Sequence, residues 1–555
     1  MGARVRVFVT VAWIALAGGG APASAAADRT DRSVPTDSST WIDHDALPMP
    51  EPRVRKVSLY SYMFRQAIVE PISKTFDVPD KIIWLMKPFG VELEQPSANE
   101  NAFDEVANSS WFTNRNHMRA VSMREIREGP FGGVMPAKPW TVTDLKKGGY
   151  NPGFQIKDAD GRKWIVKLDL PGSAQAGSGA GTVSSRLVWA AGYNISLDQT
   201  VTFRREDLHL RTALAKAGSK EPITEEDLAG ILARGAHASD GRYYGGASLF
   251  LPGKPVGPVD LRGKRRDDPN DWYQHKNRRE LRGLYVFYSW LNNWDVKDHQ
   301  SLDMYAKRAD GSGHVTHYLL DVNGSLGAAA EGAKPLPYGY EKRVSFGWTA
   351  KRLLTLGFVV EPWRRAHQES GIPSVGNFES KFFQPDHWEP LEQVAPFREM
   401  TLRDCYWGAK LVASFSDAQI AAAIDAAGYE DPRAPAYLLR TLIERRDKVA
   451  RYWFNRVVPL DFFHVEGGVL RFHDLARDVG WTGAREYVAE LRTPGRRGKT
   501  SHPQRLAATE LRLPEQGEAR LEITLSIAGS GAQPVRVELK RLDSGWVVTR
   551  VRHAR

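Results

Sequence analysis

Cysteine is nearly absent from this chain. Among 555 residues there is one, Cys405. A single thiol excludes a disulfide within the chain and any metal site built from several cysteines. The fold must therefore be held together by packing and polar contacts, and an oxidising compartment would add no cross-link to it.

Long apolar runs are equally scarce. The run at 7–17 follows Arg4 and Arg6 and precedes the small residues of 21–25, which end in Ala-Ser-Ala. A positive start, a short apolar stretch and an Ala-x-Ala site are the layout of a cleavable secretory signal. A membrane anchor would need about 20 apolar residues, and no later segment reaches that length. We predict a signal peptide at 1–25, a mature chain without a transmembrane segment, and export to the periplasm or the extracellular space.

Negative charge is in the minority. Lys and Arg number 76 against 66 Asp and Glu, so the formal net charge is +10 and the isoelectric point is about 9.4. This balance favours association with an anionic envelope component. The basic residues are spread out and form no nucleic-acid motif, so nucleic acid is not an expected partner. With 42% hydrophobic and 26% charged residues, the chain is typical of a globular protein of two or three domains.

The pattern of apolar and polar residues changes several times along the chain. Hairpin and strand patterns come first in the central part, and amphipathic helices follow, including one that opens with a capping box at Ser416. Strands first and helices later predict an α+β fold with a sheet lobe and a helical lobe. The predicted units are a signal peptide at 1–25, a linker at 26–55, an N-terminal extension at 56–139, a core domain at 140–458, a connecting segment at 459–510 and a C-terminal β module at 511–555.

The first candidate functional residue lies on a hairpin. Residues 154–157 lead into Asp-Ala-Asp-Gly at 158–161, a strong hairpin signal, and 163–168 returns as an apolar strand that carries Lys167. A fixed cation in such a place can offset the negative charge of a phosphate. Strand lysines are also often solvated edge residues, so this lysine alone does not establish a site.

The second candidate segment directly follows an amphipathic helix predicted at 277–292. The loop at 290–300 reads Trp-Leu-Asn-Asn-Trp-Asp-Val-Lys-Asp-His-Gln and contains Asp295, Lys297 and Gln300. A carboxylate, a cation and an amide close together in one loop are groups that can accept a proton, balance phosphate charge and bind a metal. A polar loop that merely caps a helix has a similar composition, and that alternative stays open.

The third candidate is an acid at the end of a short apolar strand. The segment 317–327 reads His-Tyr-Leu-Leu-Asp-Val-Asn-Gly-Ser-Leu-Gly, which delivers Asp321 to a turn containing glycine. A carboxylate there suits Mg²⁺ that bridges phosphates, although aspartate is also a common turn former. The order Lys167, Asp295, Asp321 is more informative than any one residue, and a hairpin-like insert at 307–313 accounts for the gap between the two acids.

As a set, these segments resemble atypical members of the protein-kinase-like superfamily. That group includes the aminoglycoside phosphotransferases, the HipA toxin kinases and the secretory-pathway casein kinases, and Leu-Asp-x-Asn-Gly at 320–324 is similar to the metal-binding turn of the last of these. The set also resembles uncharacterised exported bacterial proteins with such a core. The resemblance spans about 140–454 and implies a two-lobed kinase-like α+β domain.

The resemblance also implies cofactors and roles. ATP and Mg²⁺ would be the cofactors, and the acceptor would be an envelope protein or a small-molecule hydroxyl. Lys167 would bind the nucleotide phosphates, Asp295 and Lys297 would be catalytic, and Asp321 and Gln300 would bind metal.

Three departures from the family pattern weigh against activity. No Gly-x-Gly-x-x-Gly loop precedes Lys167, the helix predicted at 181–191 lacks an acid to pair with this lysine, and Gln300 replaces the usual Asn. The glycines that could form a looser turn are Gly148, Gly149 and Gly153, and the acids that could substitute are Asp169, Glu225 and Glu226. Two functions therefore remain, an exported phosphotransferase and an inactive pseudokinase-like binding protein of the cell envelope.

Overall fold

The structure is a computed structural model. It describes residues 38–57, 95–146, 150–210, 223–343, 346–365, 370–493, 502–516 and 519–554. The predicted signal peptide, most of the first half of the linker and the stretch that includes Gly148 and Gly149 lie outside these residues. Within them, no helix combines the length and the apolar character that crossing a membrane requires.

A six-stranded sheet forms the first lobe of the core domain. Its strands lie in the order β4-β6-β3-β2-β1-β5, and all neighbouring pairs are antiparallel except β1 with β5. Alternate residues of β3 are buried, as the period of a strand requires. Trp140, Phe154, Trp164 and Phe203 are among the buried side chains of this lobe. The strands are β1 (Trp140–Leu145), β2 (Gly153–Lys157), β3 (Lys163–Leu168), β4 (Asp198–Phe203), β5 (Leu208–Leu210) and β6 (Tyr243–Leu249).

Seven helices of eight residues or more occur in the described part of the chain. They are α1 (Ala176–Ala191), α2 (Glu225–Leu232), α3 (Arg279–Leu291), α4 (Phe346–Leu354), α5 (Leu402–Ala413), α6 (Asp417–Asp425) and α7 (Arg433–Phe454). Single-turn helices are found at Ser38–Trp41, Met123–Glu128, Pro362–Arg365, Ala395–Arg398 and Leu475–Asp478. The capping box expected at Ser416 opens α6, where the Ser416 hydroxyl accepts from the Gln419 backbone N–H.

Helix α1 joins the sheet to the helical lobe. It is rich in Gly, Ala and Ser, and all but two of its 16 residues are buried. Small side chains allow a close approach: the hydroxyl of Thr182 lies 3.0 Å from that of Thr200 on β4. The same helix contributes Val183, Leu187 and Val188 to the large core that contains α3, α5 and α7.

Helix α3 runs through the centre of the helical lobe and is buried along its whole length. Its Gly283 faces α5 so closely that a Cβ atom there would come within 2.6 Å of the Trp407 ring. A larger residue at this position would push the two helices apart. The position of α3 matters because its C-terminal end delivers the loop at 292–300.

A three-stranded sheet of β7 (Lys254–Gly257), β8 (Ser301–Lys307) and β9 (Gly313–Leu319) follows that loop, with β8 between the other two. Lys307 pairs with Gly313, so the hairpin-like insert expected at 307–313 is present. Strand β9 ends two residues before Asp321, and two short strands, β10 (Ala328–Ala329) and β11 (Gly332–Ala333), pair after it.

The C-terminal β module is larger than the predicted 511–555. Strands also form within 459–510, which was expected to be a connection, and they pair with strands of the predicted module in two sheets, β12-β13-β16 and β15-β14-β17-β18-β19. The strands are β12 (Leu460–Glu466), β13 (Val469–Asp474), β14 (Tyr487–Arg492), β15 (Gln504–Leu506), β16 (Glu510–Arg512), β17 (Arg520–Ile527), β18 (Val535–Leu542) and β19 (Gly545–His553).

The N-terminal extension is tied to the rest of the chain by buried charge. The Asp104 carboxylate lies 2.7 Å from Arg279 of α3 and 2.5 Å from Arg403 of α5, and it also accepts from the ring and the backbone N–H of His553 at 2.8 and 2.9 Å. Asp104, Arg279 and His553 are buried, and the side chain of Arg403 is 12% exposed. One carboxylate therefore connects the extension, the helical lobe and the last strand. We name this group the Asp104 network.

Candidate functional site

Strand β3 brings Lys167 to the junction of the two lobes. The ammonium group lies 2.6 Å from Oδ1 of Asp321, 154 residues further along the chain. Burial lowers the pKa of Lys167, but the nearby carboxylates of Asp321 and Asp198 outweigh it, so the net shift is upward. This lysine stays charged, and it is not the solvated edge residue that remained possible from the sequence.

Asp321 occupies a strained backbone position just after β9. Its φ angle is +54°, in the left-handed region that few residues other than glycine, asparagine and aspartate adopt. Burial raises the pKa of the Asp321 carboxyl. The positive charges of Lys167, Lys297 and Lys146 lower it by more than that, so the net shift is downward. The carboxylate is therefore ionised and surrounded by cations.

The loop after α3 holds Asp295 beside the same cleft. Asn292, with a φ angle of +52°, ends the helix and turns the chain. The Asp295 carboxylate accepts two hydrogen bonds from Lys297 Nζ, at 2.8 and 2.9 Å, and one from Gln300 Nε2 at 2.7 Å. The amide nitrogen of Gln300 is thus engaged with Asp295, and its Oε1 is the atom that could address a metal.

Backbone contacts fix the two acidic loops against each other. Leu320 donates to the Gln300 carbonyl at 2.9 Å, and Trp294 donates to the Gly324 carbonyl at 3.3 Å. A Cβ atom at Gly324 would lie 3.5 Å from that of Asp295. The residues predicted from three separate segments, Lys167, Asp295 and Asp321, therefore converge on one cleft.

A third acid, Asp198, completes the cluster and was missed in the sequence. It begins β4, and the pairing of β4 and β3 with β6 puts it on the same face of the sheet as Lys167. It accepts from the Ser248 hydroxyl at 2.5 Å. Burial raises its pKa to about 6, against the opposing effect of Lys167. Asp198 thus adds a carboxylate whose charge acts on Lys167, while the ion pair of Lys167 is with Asp321.

The acids considered as substitutes lie elsewhere. The Asp169 carboxylate caps the start of α1, where it accepts from the backbone of Gln175 and from the backbone and hydroxyl of Ser178, at 2.6 to 3.0 Å. Glu225 forms a surface ion pair with Arg205, and Glu226 is exposed on the same helix. Only knowledge of the strand order, which no local pattern carries, could have selected Asp198 instead.

Gly153 lets strand β2 lie very close to β3, the strand that carries Lys167. A Cβ atom at Gly153 of β2, the partner of Lys167, would lie 2.2 Å from the Val166 carbonyl oxygen. No other residue fits there without moving β3.

Lys146 precedes Gly153 in the sequence and lies near Lys167. Its ammonium group donates to the Asn151 carbonyl at 2.8 Å, and its pKa is lowered by burial and by the charge of Lys167. It is a second cation beside the site that the sequence did not single out.

The charges of the cleft are balanced. Three lysines (Lys146, Lys167 and Lys297) and three aspartates (Asp198, Asp295 and Asp321) act on one another. Among the described residues, no group of three or more His, Cys, Asp or Glu side chains could hold a metal by itself. Mg²⁺ in nucleotide sites uses one or two carboxylates and completes its shell with phosphate oxygens and water. Asp321, with Gln300 Oε1, fits that requirement.

The raised pKa of Asp198 leads to a testable pH dependence of stability. Between pH 3.8 and about 6, the unfolded chain ionises at this residue while the folded protein keeps the proton, so the wild type loses stability as the pH rises. Asp198→Asn keeps an acceptor for Ser248 and removes this loss. We expect the variant to gain about 3 kcal/mol relative to wild type between pH 4 and 7, because one pKa unit corresponds to about 1.4 kcal/mol.

Urea unfolding at several pH values measures this difference. The control is Asp543→Asn, since Asp543 is exposed in the turn between β18 and β19. A constant difference between Asp198→Asn and wild type across the range would contradict the raised pKa.

Comparison with known proteins yields structural neighbours only. No protein-family profile matches the chain, and no curated protein matches it. Among solved structures, it is similar to the Helicobacter pylori proinflammatory kinase CtkA, with 11% identity over 57% of this chain and 99% of that one, at a TM-score of 0.31. It is also similar to the Golgi casein kinase, with Mn/ADP bound (10% identity, 58% of this chain and 72% of that one, TM-score 0.30) and in a second structure (11%, 60% and 76%, TM-score 0.29).

At TM-scores near 0.3 the backbones coincide only in part, so the functional argument rests on this chain's own residues. The strands and helices of the structure confirm the predicted class, an α+β core of a sheet lobe and a helical lobe with an N-terminal extension and a C-terminal β module.

Proposed function

We propose that this protein is an exported phosphotransferase that uses Mg²⁺ and ATP to phosphorylate a hydroxyl group of an envelope protein or a small molecule. The observation that carries the proposal is the convergence of Lys167 and Asp321, 2.6 Å apart, with Asp295 beside them. A cation for phosphate, an acid for metal and an acid for the acceptor are the groups that phosphoryl transfer needs in one place.

Each residue has a role that follows from its position. Lys167 binds the phosphates of the nucleotide, and Asp321, with Gln300, holds the Mg²⁺ that neutralises them when bound. Asp295 accepts the proton of the acceptor hydroxyl, whose oxygen bonds to the terminal phosphorus as ADP leaves. Lys297, 2.8 Å from Asp295, balances the charge that develops on the transferred group.

Binding of nucleotide has to compete with the ion pair of Lys167 and Asp321. The exposed fractions of their side chains are 19% and 35%, so the pair is reached from solvent. With nucleotide and Mg²⁺ bound, Lys167 would pair with phosphate and Asp321 would hold the metal, so each would keep a partner of opposite charge. Neither nucleotide nor metal alone does so, and binding should depend on both together.

One observation favours the second function, that of a pseudokinase-like binding protein. The Asp295 carboxylate already has three hydrogen bonds from Lys297 and Gln300, and an acceptor hydroxyl would have to displace one of these donors. In this second function the same cleft binds nucleotide without turnover, and the basic surface attaches to an anionic envelope partner.

Thermal unfolding with ATP, with Mg²⁺ and with both tests the proposal. We expect the two together to raise the melting temperature more than the sum of the separate shifts, because a ligand bound only by the folded state stabilises it. Asp321→Ala should abolish the part of the shift that depends on Mg²⁺. Asp310→Ala, at an exposed turn, should keep it.

The two functions separate in a second measurement. Transfer of labelled phosphate from ATP to a hydroxyl acceptor supports the phosphotransferase, and binding without transfer supports the pseudokinase-like protein. Equal melting temperatures with and without Mg²⁺ and ATP would refute both.

A further inference from the structure

The segment after the Asp321 turn carries a group of apolar side chains that the cleft does not use. Leu353, Leu354, Leu356 and Phe358 are 71 to 85% exposed, and Val359 and Val360 are 40 and 38% exposed. We name these six residues the apolar tip. Contiguous exposed apolar residues are uncommon on soluble proteins and indicate an interaction surface.

The apolar tip stands on a well-connected base. The carboxylate of Glu341, which is largely buried, accepts from Arg352 on one side of the tip and from Trp363 and Arg364 on the other, at 2.8 to 3.0 Å. Trp363 in turn stacks on Tyr340, with ring centroids 5.2 Å apart. One acid therefore joins the two ends of the segment that bears the tip.

The backbone of the apolar tip is also hydrogen-bonded internally. Gly357, with a φ angle of +78°, donates to the Arg352 carbonyl at 2.8 Å, and Phe358 donates to that of Thr355 at 2.9 Å. These bonds end helix α4 in a tight turn. These two bonds lower the cost of moving the turn into an apolar medium, because their polar groups are already paired.

Four of the five Lys and Arg residues in the stretch from 341 to 364 form ion pairs. Arg352 and Arg364 pair with the buried acids Glu341 and Glu361. Lys342 and Arg343 pair with Glu389 and Glu392, each at 3.3 Å. Lys351 is exposed and lies over the ring of Trp348, 4.5 Å from its centroid. Apolar side chains beyond a border of cations and tryptophans are typical of a surface that inserts into a membrane interface.

We propose that the apolar tip docks the protein on an anionic lipid bilayer. The six apolar side chains enter the boundary between headgroups and acyl chains, and the exposed Lys351 contacts the anionic headgroups. The net charge of +10 attracts the whole chain to such a surface. This occupant matches both the exposed apolar side chains and the excess of positive charge.

Docking would also orient the cleft, a step that rests on the proposed function. The base of the tip is joined to the loop that carries Asp295: Arg343 donates to the Leu391 carbonyl at 2.8 Å, and Leu391 donates to that of Trp294 at 2.9 Å. The ring of Tyr338 lies 4.5 Å from that of Trp294. A docked tip therefore keeps the acceptor side of the cleft near the lipid surface and favours acceptors presented there.

A fluorescent probe at the tip tests the docking without nucleotide or turnover. Cys405 is buried, so Phe358→Cys provides one accessible thiol for an environment-sensitive dye such as nitrobenzoxadiazole. The matched control is Leu542→Cys, at a residue 44% exposed in the terminal β module. With vesicles of phosphatidylglycerol and phosphatidylcholine in equal parts, we expect the emission at 358 to shift to the blue and rise about threefold or more, with little change at 542.

Sedimentation with the same vesicles gives a second measure. Leu354→Ser with Phe358→Ser, at two exposed positions, should weaken binding about 10-fold or more, while Leu542→Ser should not. All variants are made as the mature chain, without the predicted signal peptide at 1–25, so its apolar run does not contribute to binding. Vesicles of phosphatidylcholine alone should bind more weakly, because the cations then lack a partner.

Three outcomes would overturn the proposal. They are sedimentation unaffected by the serine substitutions, a dye signal at 358 that does not respond to vesicles, and a dye signal that rises with protein concentration in the absence of lipid. The last would identify a second copy of the chain as the occupant. None of these outcomes depends on nucleotide, so a failure of the docking is distinguishable from a failure of the proposed phosphotransferase.

Discussion

Asp295→Asn is expected to lower the rate of phosphoryl transfer by about 10² to 10⁴-fold, the usual contribution of a positioned general base. Asparagine has nearly the same shape as aspartate and can still form hydrogen bonds with Lys297 and Gln300, but it cannot accept the proton of the acceptor hydroxyl. The affinity for Mg²⁺ and ATP should change little, because a base acts mainly in the transition state. The rate of phosphate transfer measures the loss of the base. The melting temperature with Mg²⁺ and ATP, measured on the same preparations, shows whether the nucleotide still binds.

The control for this prediction is Asp310→Asn, which changes the same chemical group on an exposed turn and should leave transfer unchanged. Transfer by Asp295→Asn at the rate of the wild type would show that another group takes the proton. Equal loss of nucleotide binding and of transfer would show instead that Asp295 organises the cleft.

Asp104→Ala is expected to destabilise the protein by about 3 to 5 kcal/mol, the cost of removing one partner from a buried ion pair. Arg279 and Arg403 would lose a partner in the interior, and His553 would lose the acceptor of its ring and its backbone N–H. Unfolding in urea measures the change. The control is Glu515→Ala, since Glu515 has an exposed ion pair with Arg512 and should alter stability by less than about 0.5 kcal/mol.

The effect of Asp104→Ala should depend on pH. Burial would raise the pKa of Asp104, but Arg279, His553 and Arg403 outweigh it and hold the pKa well below its ordinary value. The stabilisation is therefore complete above the unfolded pKa of about 4 and is lost as the pH falls below it. The difference between wild type and variant should narrow in acid. A difference that does not change with pH would mean that Asp104 contributes packing rather than charge.

The residues of the cleft that could be predicted lie at the ends of elements with clear local patterns. Lys167 closes a hairpin, Asp295 follows an amphipathic helix, and Asp321 follows an apolar strand, so each could be found from its own surroundings. Asp198 could not, because nothing near it in the sequence shows that β6 lies between β4 and β3. Strand order is set by tertiary packing, and period and composition do not encode it.

The bounds of the C-terminal β module also depend on strand pairing, which local sequence patterns do not show. The alternation in 511–555 was recognised, but β14 within 459–510 is a central strand that pairs with β15 and β17. A short strand between polar segments resembles a connection until its partners are known. The Asp104 network was missed for a related reason, since its members are far apart in the sequence and each is an ordinary charged residue by itself.

The Asp104 network also has a consequence for the time course of biosynthesis. Asp104 and His553 are 449 residues apart, and ribosomes add about 5 to 20 residues per second. After α7 ends at Phe454, His553 follows only after roughly 5 to 20 seconds of synthesis. During that time the carboxylate lacks one of its partners while the sheet lobe and the helical lobe are already available to fold. Ribosome-bound chains that end before β19 should consequently be held by chaperones longer and be cut by proteases more readily near residue 104 than chains that include His553.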